Sequence, residues 1–170
     1  MFAAFTGSAA AQRPDFSGTW TRIADSTTGR GGVAATGDAA FRRGDMGSGW
    51  GSPLTLTQTP QRLNVVFDFF IAYDLQPKAR FTYALDGSES KNIVTVGHAD
   101  APVRSRSAWK GDTLVITTTF TAPPEVDPAL RTPEVRHALS IDPSGRLVIA
   151  VQRRDAGGAL NTVVSAYTKR

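Results

Sequence analysis

Apolar and polar residues alternate along most of the chain from Asp15 onward. A residue pattern of period two is typical of a strand with one buried and one solvated face. Between Leu63 and Tyr73, for example, the apolar residues recur at every second position. The blocks with this pattern are Phe16 to Ile23, Leu54 to Thr57, Leu63 to Tyr73, Arg80 to Leu85, Asn92 to Gly97, Val103 to Trp109, Thr113 to Phe120, Val135 to Ile141, Leu147 to Gln152 and Asn161 to Tyr167. The sequence therefore predicts about ten β-strands.

Short turn sequences separate many of these blocks, among them Asp86-Gly87-Ser88, Lys110-Gly111-Asp112 and Asp142-Pro143-Ser144-Gly145. Such turns join antiparallel neighbours. No segment sustains an apolar repeat at three and four residues, so a parallel sheet with crossover helices is not expected. The fold class predicted is all-β, an antiparallel up-and-down barrel of about eight to ten strands. A two-sheet sandwich is the alternative, and the barrel is preferred because closure removes exposed edges.

The segment from Ala24 to Ser52 interrupts the regular spacing. It is rich in glycine, poor in apolar residues and contains the isolated bulky side chains Phe41, Met46 and Trp50. A connection of this length in a compact domain is usually functional or unstructured. We expect a long loop after the first strand, which is either a lid or a solvated insertion.

Length and composition limit the function classes. The chain of 170 residues is long enough for one domain, assigned to residues 12–170. Residues 1–11 resemble the end of a secretory signal, with a disordered N-terminus as the alternative, which predicts a periplasmic or secreted protein. A net charge of +4 without a basic patch argues against nucleic acid. No apolar run approaches the roughly 20 residues of a membrane span, and the absence of cysteine excludes thiolate chemistry.

The opening Gly18-Thr19-Trp20, the long loop and the later hairpins resemble the lipocalin and fatty-acid-binding proteins of the calycin barrels, including bacterial lipocalin-like proteins. The resemblance implies that Trp20 closes one end of the barrel and stacks on a basic residue from a late strand, here Arg153, Lys169 or Arg170. It also implies carriage of an apolar ligand. The usual Thr-Asp-Tyr stretch and the C-terminal helix of that group are not found here.

The alternation of inward and outward positions makes His137 the main candidate for a catalytic or ligand-binding residue. It alternates with Val135, Leu139 and Ile141, so its side chain is expected to face the interior. A buried imidazole is able to act as a general base, to bind a ligand by a hydrogen bond or to ligate haem iron. The alternative is a core histidine whose nitrogens are satisfied by a neighbouring hydroxyl or carbonyl.

Aromatic residues complete the predicted ligand-binding set. Tyr73 and Tyr83 lie on apolar faces of their strands, as do Phe69 and Trp109, and inward faces of a barrel converge on one interior. Together with His137 and Trp20 they are expected to line or cap a common lumen, although packing of a filled core explains the same pattern.

The pattern does not show which face of the strand Val103 to Trp109 is buried, because Arg104 and Arg106 alternate with Ser105, Ser107 and Trp109. If the arginines face the lumen, they are suited to bind a ligand carboxylate. If Trp109 faces inward, the arginines are solvated, and this reading is preferred because burial of an unpaired arginine is costly.

These residues favour the binding of a small apolar or amphipathic molecule in the lumen. The alternative is a lipocalin-fold enzyme that performs acid–base isomerisation, hydration or lyase chemistry with His137 and Tyr83, and a filled barrel without a pocket is the third possibility. No cofactor and no metal are predicted, and the expected state is a monomer or weak dimer. Neither paired carboxylates at suitable spacing nor a Gly-x-Ser-x-Gly motif is present.

Overall fold

A computed structural model describes residues 13–23, 28–29, 50, 53–68, 78–96, 99–120, 134–154 and 160–170. These residues form strands and turns, with no helix among them. The strands are β1 Gly18–Arg22, β2 Thr28–Gly29, β3 Leu54–Gln58, β4 Arg62–Asp68, β5 Lys78–Ala84, β6 Glu89–Val96, β7 Ala99–Lys110, β8 Thr113–Phe120, β9 Glu134–Ile141, β10 Leu147–Arg154 and β11 Leu160–Lys169.

Ten of these strands form a single antiparallel sheet in the order β5-β4-β3-β1-β11-β10-β9-β8-β7-β6, while the two-residue β2 pairs with β11. Neighbours in the chain are neighbours in space from β3 to β5 and from β6 to β11, and β1 joins the two halves by pairing with both β3 and β11. The predicted up-and-down antiparallel barrel is therefore confirmed. An architecture of this kind is consistent with a calycin-like fold.

Side chains close the seam between β5 and β6, where no backbone ladder joins the described residues. The side-chain amide of Asn92 makes the two hydrogen bonds to Thr82 that the backbone of a paired strand would make. Its Oδ1 accepts from the Thr82 N–H at 2.8 Å, and its Nδ2 donates to the Thr82 carbonyl at 3.1 Å. The Ser90 hydroxyl accepts from the Ala84 N–H at 2.7 Å. Both polar side chains are buried. The barrel is thus nearly closed, and side-chain groups satisfy strand edges that a ladder would otherwise satisfy.

The two ends of the barrel differ in their connections. At the turn end, defined by the hairpins that join β3 to β4, β5 to β6, β7 to β8 and β9 to β10, each connection has two to five residues. Local hydrogen bonds fix these turns, as where Asp86 Oδ1 accepts from the Ser88 N–H at 2.9 Å. The connections from β1, β4, β6, β8 and β10 leave at the opposite end, the loop end. The Ala24–Ser52 segment starts there, and apart from β2 and Trp50 it lies outside the described residues.

The turn end is closed by the segment that precedes β1. Phe16 is fully buried, and its ring stacks on Trp109 with centroids 5.9 Å apart and planes 6° from parallel. Its carbonyl accepts from the Trp20 indole N–H at 2.9 Å. Gln58 holds the segment in place, because its Oε1 accepts from the Phe16 N–H at 3.1 Å and its Nε2 donates to the Pro14 carbonyl at 3.1 Å.

Lys169 is the basic residue that covers Trp20, and its Nζ lies 5.6 Å from the ring centroid. The register explains the choice, since Trp20 and Lys169 are direct partners across β1 and β11. Gly18 has a φ of 141°, and a Cβ at this position would stand 2.5 Å from Lys169 Cε. Glycine therefore lets the lysine side chain pass over β1 towards the indole.

Candidate functional site

Trp50 lies inside the barrel although it belongs to no strand. Its side chain is only 2% exposed, and it comes from the long segment between β2 and β3. Its ring stacks on the imidazole of His137 with centroids 5.0 Å apart and planes 9° from parallel. The ring of Tyr83 lies 6.1 Å from it at 30°. A residue from a long connection thus occupies the interior that the strands enclose.

Three strand residues contact Trp50, and we name Tyr83, His137 and Tyr167 the aromatic box. They come from β5, β9 and β11, which brings together distant parts of the chain. The Tyr167 hydroxyl donates to the Trp50 carbonyl at 2.9 Å, and the Trp50 side chain is hydrogen-bonded to Tyr83. The box is therefore aromatic on its faces and provides hydroxyl groups at its edges.

His137 is 1% exposed, and neither Nδ1 nor Nε2 has a hydrogen-bond partner among the described residues. Burial, with a smaller contribution from the positive charge of Arg153, lowers the pKa of His137 from 6.5 to about 4. The imidazole is therefore neutral at neutral pH and has one N–H donor and one acceptor nitrogen. Two buried hydrogen-bonding groups without partners are unusual, because nearly all such groups in folded proteins are satisfied.

Burial also acts on the two tyrosines of the box. It raises the pKa of Tyr83 well above its usual value of 10, and the hydrogen bond from Trp50 only partly opposes this. Burial raises the pKa of Tyr167 as well, against the nearby charge of Arg22 and a hydrogen bond from its guanidinium. Both phenols therefore keep their protons and act as hydroxyl donors and acceptors.

A second group of interior polar side chains follows β6, β7 and β8. Ser105 and Thr118 are opposite each other in the register and share a hydrogen bond at 2.8 Å. Ser107, the next inward residue of β7, is 3% exposed, and its Oγ has no hydrogen-bond partner in the part of the chain that the structure describes. Ser107, Ile116 and His137 form one row across three strands, so Ser107 and His137 are about 10 Å apart. One sector of the interior is polar, and the sector of β3 to β5 is apolar.

Arg153 occupies an inner-face position towards the loop end, and the exposed Arg22 lies beside Tyr167 at the same end. Arg153 continues the inward series of Ile149 and Val151 and is the register partner of the buried Val135. Arg22 is the register partner of Tyr167. The charge of Arg153 favours the neutral form of His137, whereas the charge of Arg22 acts on Tyr167 and opposes the rise of its pKa.

The structure groups the predicted site residues in two clusters. His137 and Tyr83 meet around Trp50, whereas Trp20 and Trp109 contact Phe16 at the turn end. All four belong to the barrel interior or pack against it. Tyr73 and Phe69 lie outside the described residues.

The open orientation of β7 is settled by burial. Ser105 and Ser107 are buried and Trp109 packs against the core, while Arg104 and Arg106 are exposed, with Arg104 3.1 Å from Glu89. The preferred interpretation, with Trp109 inward and the arginines in solvent, is confirmed. The arginines of β7 therefore do not bind a ligand in the lumen.

Sequence reasoning missed Trp50, Tyr167 and Arg153 as residues of the site. The parity of Arg153 with Ile149 and Val151 was a usable signal, because side chains two residues apart on a strand share a face. For Trp50, only the presence of a large aromatic residue in a glycine-rich segment hinted at a buried contact. Nothing local in the sequence indicates which interior surface that side chain covers.

The chain matches no protein-family model, and a search of the curated proteins finds no matching sequence. Within the described residues no three His, Asp or Glu side chains lie close enough together to hold a metal ion. The same part of the chain contains no helix long and apolar enough to cross a bilayer.

Proposed function

We propose that the barrel binds a small apolar or amphipathic molecule in its interior, at the aromatic box. The observation that carries this proposal is the pair of buried, unpartnered hydrogen-bonding side chains, His137 and Ser107, on one interior row. A buried donor or acceptor without a partner costs about 1–3 kcal/mol. A bound molecule with polar groups on one edge would satisfy them while its apolar part contacts Leu63, Val65 and Phe81.

The width of the barrel supports the same conclusion. An eight-strand barrel has an interior that side chains just fill, and diameter grows with strand number. Here ten strands surround the interior, and a tryptophan from outside the sheet contributes to its filling. The Gly18-x-Trp20 motif, in which Lys169 covers the indole ring, supports a resemblance to the lipocalin-like calycins. The activity that this resemblance implies is the carriage of a ligand.

The acid–base alternative receives less support from the same residues. General acid–base catalysis is most effective when a group has a pKa near the working pH. The pKa of His137 is lowered to about 4, and that of Tyr83 is raised above its usual value. Both groups therefore remain in one protonation state near neutrality, which suits hydrogen bonding to a ligand.

Fluorescence titration with N-phenyl-1-naphthylamine, a neutral amphipathic probe, tests the proposal. We expect saturable binding of one molecule per chain, weakened at least tenfold in His137→Phe, which keeps a planar ring and removes both nitrogens. Leu139→Met, on the same face of the same strand, is the matched control because it preserves volume, and it should change the affinity less than threefold. Absence of saturable binding, or equal affinities of wild type and His137→Phe, would overturn the proposal.

A further inference from the structure

Trp50 differs from every other described aromatic residue of the interior in how its backbone is held. The other described aromatic side chains of the interior belong to strands or, as with Phe16, to the segment fixed by Gln58. Trp50 lies in no strand, and its carbonyl is bound by a side chain, the Tyr167 hydroxyl. Trp50 itself therefore contributes no strand pairing that the exit of its indole would break.

The box that holds Trp50 has the shape of a site for a flat ring. The imidazole of His137 is 9° from parallel to the indole, and the ring of Tyr83 is 30° from it. Near-parallel rings at these separations favour planar aromatic groups over saturated ones. The Trp50 side chain also hydrogen-bonds to Tyr83, a contact that an N–H or O–H on any flat ligand would reproduce.

Trp50 does not provide hydrogen-bond partners for all the polar atoms of the aromatic box. It covers the face of the imidazole, but Nδ1 and Nε2, at the ring edge, remain without partners. A ligand with a polar group on its edge would stack in the same way and also pair one of these nitrogens. No Asp or Glu is among the buried side chains of the described residues, so the box has no counter-charge for a cation.

We propose that the ligand is a flat, uncharged aromatic molecule with a hydroxyl or N–H group at its edge, and that it competes with Trp50 for the aromatic box. This inference rests on the proposed function and specifies its ligand class. Binding then has two parts, the exit of the indole from the box and the entry of the ligand ring. Trp50 lowers the apparent affinity by occupying the site in the free protein.

Two probes with the same carbon skeleton test the ligand class. Calorimetric titration of the wild type should show 2-naphthol bound at least tenfold more tightly than decahydro-2-naphthol, which has the same hydroxyl on a saturated, non-planar frame. Equal affinities of the two probes would refute the selection of flat rings. That result, with intact binding of N-phenyl-1-naphthylamine, would leave the proposed function standing, whereas loss of all binding would remove both proposals.

Competition is tested directly in the wild type by the indole N–H signals in ¹H–¹⁵N spectra. On saturation with 2-naphthol, the Trp50 signal, assigned from Trp50→Phe, should shift and exchange faster with water. The Trp20 signal is the internal control, because its N–H is hydrogen-bonded to the Phe16 carbonyl at the other cluster. Saturation with 2-naphthol while the Trp50 signal stays unchanged would overturn the competition.

Two variants that each create a cavity distinguish competition by Trp50 from a general gain of space in the core. Trp50→Ala should raise the affinity for 2-naphthol at least tenfold, since the internal competitor is removed. Phe16→Ala opens a comparable space at the turn end of the same core and should change the affinity less than threefold. Equal gains in the two variants would contradict the assignment of the ligand to the box. If Trp50→Ala does not fold, the wild-type spectra alone decide the question.

Discussion

Acid should destabilise this protein through His137, and the effect is calculable. The pKa of His137 is about 4 in the folded protein because the side chain is buried, and 6.5 is its unperturbed value. Between these two pH values the unfolded chain binds a proton that the folded protein does not. Stability therefore rises with pH through this window and is lost as the pH falls towards 4.

The expected size follows from the two pKa values. Between pH 7.5 and pH 4.5 the free energy of unfolding should fall by about 2.5 kcal/mol on account of this one group. The carboxyl groups of Asp15, Asp86 and Asp142 have pKa values lowered below 3.8, chiefly by hydrogen bonds. Their stabilising contribution is lost mostly below this window, so the two effects are separable.

Urea unfolding at a series of pH values, followed by circular dichroism, measures the effect. His137→Phe should lack this part of the pH dependence, so that its stability relative to the wild type improves by about 2.5 kcal/mol between pH 7.5 and pH 4.5. Leu139→Met should keep the wild-type dependence. If the wild type and His137→Phe lose stability in parallel, His137 is not buried and neutral as described, and the reasoning fails.

Two further predictions concern the frame of the site. Gly18→Ala should destabilise the protein by about 1–3 kcal/mol, because φ is positive there and the new methyl group displaces Lys169 from Trp20. The loss of stability, measured by thermal unfolding, should be smaller in a Lys169→Ala background, and an unchanged loss would refute the contact. Asn92→Ala should cost about 2–3 kcal/mol in urea unfolding because two Thr82 backbone groups lose their partner. Asn64→Ala, which removes only the exposed acceptor of the Thr82 hydroxyl, should cost less, and equal costs would contradict the seam.

Alternation along the chain was sufficient to predict the strands and their inner faces. Steric geometry places successive side chains on opposite faces of a strand, so the inward direction of His137 and Tyr83 follows from local order alone. For Arg104 the alternation left both directions open, and the cost of burying an unpaired arginine favoured the outward one. The same rule would have identified Arg153, which shares parity with buried Ile149 and Val151. Local sequence did not distinguish Arg153, Lys169 and Arg170 as partners of Trp20, because that choice depends on the register between β1 and β11.

Periodicity and turn chemistry predicted the antiparallel strands of an all-β protein, because both act over a few residues and are the same in a barrel and in a sandwich. The closure of the barrel, the seam contact of Asn92 with Thr82 and the stacking of Trp50 on His137 are known only from the folded structure. Both contacts join segments far apart in the chain. They depend on strand register, barrel closure and the space left by side chains from β5, β9 and β11, quantities that no local pattern encodes.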